Sequence, residues 1–287
     1  MRITNSMLTA QTLRDLQGNY AAMARAQEQV SSGKRLNRPS DNPPDAQQAI
    51  KYNQALSSVG QYLRNVQTAQ NETATAEGAL SSAGDSIQRL KELSLQAAND
   101  TLSATDRASI LEEVNQLADQ LVSLANTKNG DDYVFSGQKT STPAYANPSA
   151  VYGGDTSPIT ARIAQGQTLQ INITADTAFG PALAAATQLA ADLAAGTKPQ
   201  GATIQSLDNA LSAALTARTK IGAIDNRLTG ASTFLADQQL SITAMLSNLE
   251  DADMPTVISE ASTRQTAYQA AISVNAKILQ KSLIDEL

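Results

Sequence analysis

Apolar residues recur at alternating steps of four and three along most of this chain, a spacing that admits little besides packed helices. Thr9, Leu13, Leu16, Tyr20, Met23, Gln27 and Val30 form the first seam. Tyr52, Leu56, Val59, Leu63 and Val66 keep the step, and Leu80, Ile87, Leu90 and Leu93 carry an apolar face onward. Ile110, Val114, Leu117, Leu121 and Leu124 form another seam. Ile204, Leu207, Leu211, Leu215, Ile221, Leu228, Leu235, Ile242, Leu246 and Leu249 form a longer one. The last holds Ile258, Ala261, Gln265, Tyr268, Ile272, Asn275 and Leu279. Aromatic residues make up only 3% of the chain and Trp is absent, which suits narrow helical seams better than one thick core.

Two breaks punctuate the seams. The first is Ser31–Ala46, where Ser32, Gly33, Arg35, Asn37, Pro39, Ser40 and Asp41 form a hinge. Gly33 suits the left-handed position that ends a helix, and Lys34 and Arg35 are expected against that helix's negative end. Ser40, Asp41 and Asn42 offer N-cap oxygens, and Pro43, Pro44 and Asp45 suit a first helical turn. The second break is Glu250-Asp251-Ala252-Asp253, with Pro255 just beyond. Helices are therefore expected up to the hinge, from Pro43 to about Ala98, from Thr203 to Leu249 and from Met254 to Ile284. Gly78 and Gly84 are possible bends. Ser103 and Asp106 form a capping box, with Asp in place of Glu, for a helix through Leu124.

The texture changes after Asp131. Tyr133-Val134-Phe135 reads as a short strand, and Ile159–Ile163 and Leu169–Ile173 alternate apolar with polar around the turn Gln165-Gly166. Pro181 to Ala195 is an Ala-rich helical run. The expected fold is mainly α: an elongated, nested antiparallel helical bundle or coiled coil with a small central β-rich insert. Three domains are expected, at 1–42 with 252–287, at 43–130 with 200–251, and at 131–199.

With no Cys and no His, thiolate chemistry, disulfides and His-ligated metals are excluded. A net charge of -6 disfavours general nucleic-acid binding. No stretch is apolar enough for a membrane span, and the first ten residues lack the apolar core of a secretory signal. Arg35 stands where a P-loop needs Ser or Thr after Lys34. Glu250, Asp251 and Asp253 lack the calcium-loop pattern and read as a helix cap. Glu112 and Glu113 are adjacent and point apart on a helix. No catalytic, cofactor or metal residues emerge, and no enzyme is expected.

The polar spikes Gln27, Gln265 and Asn275 favour terminal seams completed by neighbouring subunits over a coiled coil within one chain. The candidate assembly residues are Leu13, Leu16, Tyr20, Met23 and Val30 in the first helix. In the last they are Ile258, Ala261, Tyr268, Ile272 and Leu279.

Several segments resemble the flagellin superfamily, and within it the group that joins hook to filament. They are Met1-Arg2-Ile3-Thr4-Asn5, Ser31–Asp41 with Asn37-Arg38-Pro39-Ser40-Asp41, and Tyr133-Val134-Phe135-Ser136-Gly137. Gly166-Gln167-Thr168 with Ile171-Asn172-Ile173, Leu249–Asp253 and Ser282–Leu287 complete the set. Asn42-Pro43-Pro44-Asp45 is richer in Pro than the usual hinge and implies a stiffer link. The resemblance implies a secreted, extracellular adaptor, exported unfolded through the flagellar type III secretion apparatus. It would stack in one short zone of its own copies between hook-side junction subunits and flagellin, with its terminal helices around the axial channel. It also implies a cytosolic chaperone on the C-terminal region, and no nucleic-acid or membrane partner. A short flagellin that forms the filament itself is the first alternative. A soluble coiled-coil signalling or adhesion module is the second.

Overall fold

The computed structural model describes residues 5–99 and 102–284, with side chains at 7, 10–99 and 102–276. The expectations for Met1–Thr4 and Asp285–Leu287, and for the side chains of Thr9 and Leu279, lie outside the described residues. Helix α1 spans Asn5–Ser32, α2 Pro43–Ala97 and α3 Ala104–Ala125. Strands β1 (Lys128–Asn129) and β2 (Asp132–Tyr133) form one antiparallel hairpin, and β3 (Thr160–Ala164) and β4 (Gln167–Gln170) another. Helices α4 (Ala175–Ala178) and α5 (Gly180–Ala194) follow, then α6 (Gly201–Glu250) and α7 (Met254–Ile284). The protein is mainly helical with a small β insert, as the periodicity requires.

The chain divides into two compact units, one of 1–58 with 238–287 and one of 59–237. Both α2 and α6 run from one unit into the other. Helix α2 continues through Gly78 and Gly84 without a break. No Cβ-sized neighbour approaches either glycine, so each costs helix propensity alone, about 1 kcal/mol against Ala.

The core of the second unit uses a repeating face of α2: Ala76, Leu80, Ala83, Ile87, Leu90 and Ala97 are all nearly inaccessible. Ile110, Val114 and Leu121 of α3 join them, with Leu183 and Leu189 of α5 and Leu207 and Ile221 of α6. Each such large side chain contributes on the order of 1.5–3 kcal/mol by burial. On α6 the buried face alternates Leu207, Ile221, Leu228 and Leu235 with Ala210, Ala214 and Ala217, while Leu215 of the expected seam is exposed. Ion pairs Arg89–Glu113 (2.6 Å), Lys91–Asp208 (2.6 Å) and Arg218–Glu77 (2.7 Å) tie α2 to α3 and α6 at the surface. Such exposed pairs set register more than stability.

Two expected strands are corrected. Val134 and Phe135 lie beyond β2, because Phe135 turns inward to meet Phe179 edge-on, with ring centroids 5.0 Å apart. Past β4, the buried Asn172 side chain takes over the pairing. Its Oδ1 accepts from the Ile159 N–H at 2.9 Å and its Nδ2 donates to the Ser157 carbonyl at 3.0 Å. The capping box on α3 is present: Ser103 Oγ accepts from the Asp106 N–H, and the Asp106 carboxylate accepts from the Ser103 N–H. No helix among the described residues is long and apolar enough to cross a membrane.

Candidate functional site

In the first unit α1 packs on α7, and the pair is antiparallel: Tyr20 meets Tyr268 at 5.7 Å between ring centroids, and Gly33 lies beside Ala252. Among the described side chains only Ala26 on α1 and Val257 on α7 are fully buried. Leu16, Asn19, Met23, Ala26 and Val30 of α1 recur at threes and fours and are half-buried or better. On α7 the matching set is Val257, Ala261, Tyr268, Ala271 and Asn275. The pair therefore consumes part of each expected seam and leaves the rest open. Leu13 and Tyr20 stay 54% and 55% exposed, and Ile258 and Ile272 stay 52% and 45% exposed. Gln27 and Gln265 are exposed as well. The intrachain face keeps Leu16, Met23 and Val30 of the first seam and Ala261, Tyr268 and Asn275 of the last, and adds Ala26 and Val257 beside them. Ala26 lies one position off the 4–3 spacing that picked out Ala261, which is why sequence reasoning missed it.

The two chain breaks are clasped together at the end of this pair. The Gly33 carbonyl accepts from the Ala252 N–H at 2.9 Å, and the Glu250 carbonyl accepts from the Arg35 N–H at 2.6 Å. Gly33 has φ +70°, the left-handed turn that ends α1. That turn carries Lys34 and Arg35 away from α1, so the expected contact with their own helix's negative end is replaced. Lys34 Nζ lies 2.6 Å from Glu250 Oε2, and Arg35 Nη2 donates to the Leu249 carbonyl at 2.9 Å. The cations thus serve the negative end of α6 instead. Arg35 also pairs with Asp45 in the first turn of α2 at 2.9 Å, so one guanidinium ties three segments.

The rest of the hinge closes on itself. The Asp41 carboxylate accepts from the N–H groups of Asn37 (3.3 Å) and Arg38 (2.8 Å), and Asn37 Nδ2 donates to the Lys34 carbonyl at 3.1 Å. The Asp41 N–H donates to the Arg38 carbonyl at 3.0 Å, a turn with Pro39 and Ser40 at its centre. Ser32 Oγ accepts from the Lys34 N–H at 3.1 Å. Asn42, not Ser40 or Asp41, caps α2: its Oδ1 faces the Asp45 N–H at 3.4 Å. In the acidic break Asp253 Oδ2 accepts from Thr256 Oγ1 at 2.6 Å at the start of α7. No group of three metal-ligating side chains occurs among the described residues.

In the second unit, the segment Tyr133–Gly137 forms a tight clasp. Asp155 Oδ1 accepts from the N–H groups of Gln138 (2.9 Å) and Ser157 (3.0 Å), and the Asp155 N–H donates to the Ser136 carbonyl at 3.1 Å. Those N–H donors, Gln138 first, hold the Asp155 carboxyl below the usual carboxylate range. Tyr152 Oη lies 2.9 Å from the carbonyl oxygens of both Phe135 and Asp155 and shares its proton between them. Burial first, and the Asp155 charge second, push the Tyr152 hydroxyl up to about 12. Burial and then Asp176 do the same to Tyr145, also to about 12.

A long-helix scaffold with paired ends, clasped breaks and a small β insert defines a flagellin-type structural protein. The family described as the bacterial flagellin N-terminal helical region matches residues 3–140, and that described as its C-terminal helical region matches 204–287. The chain is 30% identical to flagellar hook-associated protein 3 of Escherichia coli, over 94% of this chain and 95% of that protein. It therefore belongs to the flagellin family, as a structural protein of the bacterial flagellum. It is also 28% identical to the flagellin of Bacillus subtilis, over 98% of this chain and 97% of the other. Its fold is shared with the flagellar junction protein FlgL from Legionella pneumophila, at TM-score 0.60 and 19% identity over 71% of this chain and 100% of that one.

Proposed function

We propose that this protein is the adaptor between hook-side junction subunits and the flagellin filament, and that it templates filament growth. The observation that carries the reading is the half-used terminal seam. Leu13, Tyr20, Ile258 and Ile272 stay exposed beside a thin α1–α7 contact, as a surface awaiting copies of itself and of its neighbours would leave them. In this reading Leu16, Met23, Val30, Ala261 and Tyr268 hold the pair together. The hinge residues Ser32 to Asp41 set its position against α6. Three parts divide the work: 1–42 with 252–287 for stacking, 43–130 with 200–251 for the helical scaffold, and 131–199 for the insert. Export through the flagellar type III apparatus, with a cytosolic chaperone on the C-terminal region, fits termini whose order depends on partners. The role is structural and requires no catalysis.

The identity to hook-associated protein 3 over nearly the whole chain supports the junction reading. The nearly full-length match to a flagellin keeps one second reading, a short flagellin that forms the filament itself. A free coiled-coil signalling module has no support beside the family match. Immunogold electron microscopy on sheared flagella, with antibody to residues 130–200, separates them. A single labelled band where hook meets filament is the expected result. Label along the filament makes the chain a flagellin, and no label on any flagellum overturns both.

A further inference from the structure

Beside the second hairpin, a cleft of about 660 Å³ opens between β4, the Asn172–Thr177 stretch and one face of α6. Its lining combines three chemistries. Lys220 and Arg227 stand at i and i+7 on α6, about 10 Å apart along the helix axis. Ala223 and Ile224 lie between them and give a small apolar floor. Thr168 and Thr177 bring hydroxyls from the opposite wall. Arg162 pairs directly with Thr168 across the hairpin, so it shares that face of the sheet.

Among the described residues none of Arg162, Lys220 and Arg227 has an ion-pair partner, although Arg89, Lys91 and Arg218 in the same unit do. The nearest acids in sequence do not neutralise the site. Asp225 sits on the opposite side of α6 by helical spacing, and Asp176 lines a different cleft with Tyr145 and Val151. Lys220 and Arg227 thus stand as two unpaired cations beside one hydroxyl-lined cleft. Unpaired cations reach carboxylates by charge-assisted hydrogen bonds, threonine hydroxyls match a polyol, and the apolar floor suits the C–H face of a sugar ring.

We propose that this cleft binds an acidic oligosaccharide, with Lys220 and Arg227 meeting carboxylates on separate sugar units and Thr168 and Thr177 meeting ring hydroxyls. The spacing of the two cations accounts for an oligomer rather than a single acid group. The reading concerns the insert side of α6 and is independent of the role proposed for the terminal seams.

The test is calorimetric titration of the full chain with trigalacturonate, galactotriose and inorganic sulfate, with amide chemical shifts followed at Thr168, Gln170 and Ile224. Trigalacturonate is expected to bind and to shift those amides, and galactotriose is not. The double variant K220Q/R227Q should weaken trigalacturonate at least tenfold while its melting temperature stays unchanged, since both side chains are exposed; K51Q on α2 should leave binding as it is. No binding, equal binding of galactotriose, or an unaffected double variant overturns the proposal. Sulfate binding as tightly as trigalacturonate reduces the cleft to a simple anion site and overturns it too. So does self-association that the double variant abolishes, which makes the occupant an acidic surface of a second copy.

Discussion

Replacing Gly137 with Ala isolates how tightly the Tyr133–Gly137 segment is held against Asp155. Five glycines take the left-handed conformation, and Gly33, Gly130, Gly166 and Gly196 have nothing within 4 Å of an added Cβ. Gly137, at φ +64°, is different: its Cβ would press into the carbonyl and carboxylate oxygens of Asp155. The left-handed conformation alone costs a non-glycine residue about 1–2 kcal/mol. Pushing Asp155 away adds overpacking of about 1–3 kcal/mol, because the same residue is fixed through its N–H and through two bonds to its carboxylate. The sum of about 2–5 kcal/mol lowers the melting temperature by roughly 4–20 °C for a unit of this size. Gly130→Ala shares the conformational cost at φ +66° without the contact, and should lose roughly 2–8 °C. Differential scanning calorimetry of both variants in the full chain gives the comparison. If Gly137→Ala melts within about 2 °C of Gly130→Ala, the Asp155 contact carries no energy and the reasoning fails.

Gly33→Ala should lower the protection of the Ala252 amide against hydrogen exchange about five- to tenfold, from left-handed strain of about 1 kcal/mol at the clasp. Unchanged protection there would mean the clasp does not depend on the turn. Leu13→Ser with Ile258→Ser should change monomer stability by less than about 0.5 kcal/mol per site, since both are half exposed, yet cut junction assembly and release flagellin into the medium. Normal motility in that strain would sink the proposed use of the exposed stripe. Tyr145 and Tyr152 should ionise at about pH 12, above the ordinary tyrosine range, in a titration followed by ultraviolet absorbance. Their folded pKa values are raised, so their contribution to stability is whole below the ordinary tyrosine pKa and is lost as pH climbs towards 12. Asp155 works in the opposite direction: its folded pKa is depressed, so its contribution is present above the ordinary carboxylate range and is lost as acid is added through and below that range. An acid melting profile that Asp155→Asn leaves unaltered would refute this.

The helices were legible because their signals are local. Period, caps and breakers lie within a few residues of one another, so the first and last long helices end at Ser32 and start at Met254 where Gly33 and Asp253 require. The Ser103–Asp106 box was legible for the same reason. What a strand-like run does next was not local. Val134 and Phe135 fit a strand by propensity, but burial of Phe135 against Phe179 some forty residues on draws the chain out of the ladder. Asn172 reads as an ordinary strand position until its amide is seen satisfying two backbone groups of a distant loop.

The same division runs through the assembly surface. Composition and spacing alone determined a helical protein without thiol or imidazole chemistry. They also located both breaks. Only the tertiary structure decided that the breaks grip each other, that Lys34 and Arg35 serve the end of α6 rather than α1, and that Ala26 and Val257 rather than Leu13 and Ile258 fill the α1–α7 contact. A periodic stripe states which residues prefer to leave water, but it does not state which neighbour covers them. Covered and open residues alternate within one stripe, Leu16 and Met23 on the covered edge and Leu13 on the open one. That choice falls to long-range packing, which shields Leu16, Met23 and Tyr268 in the α1–α7 pair and leaves Leu13 and Ile258 to water.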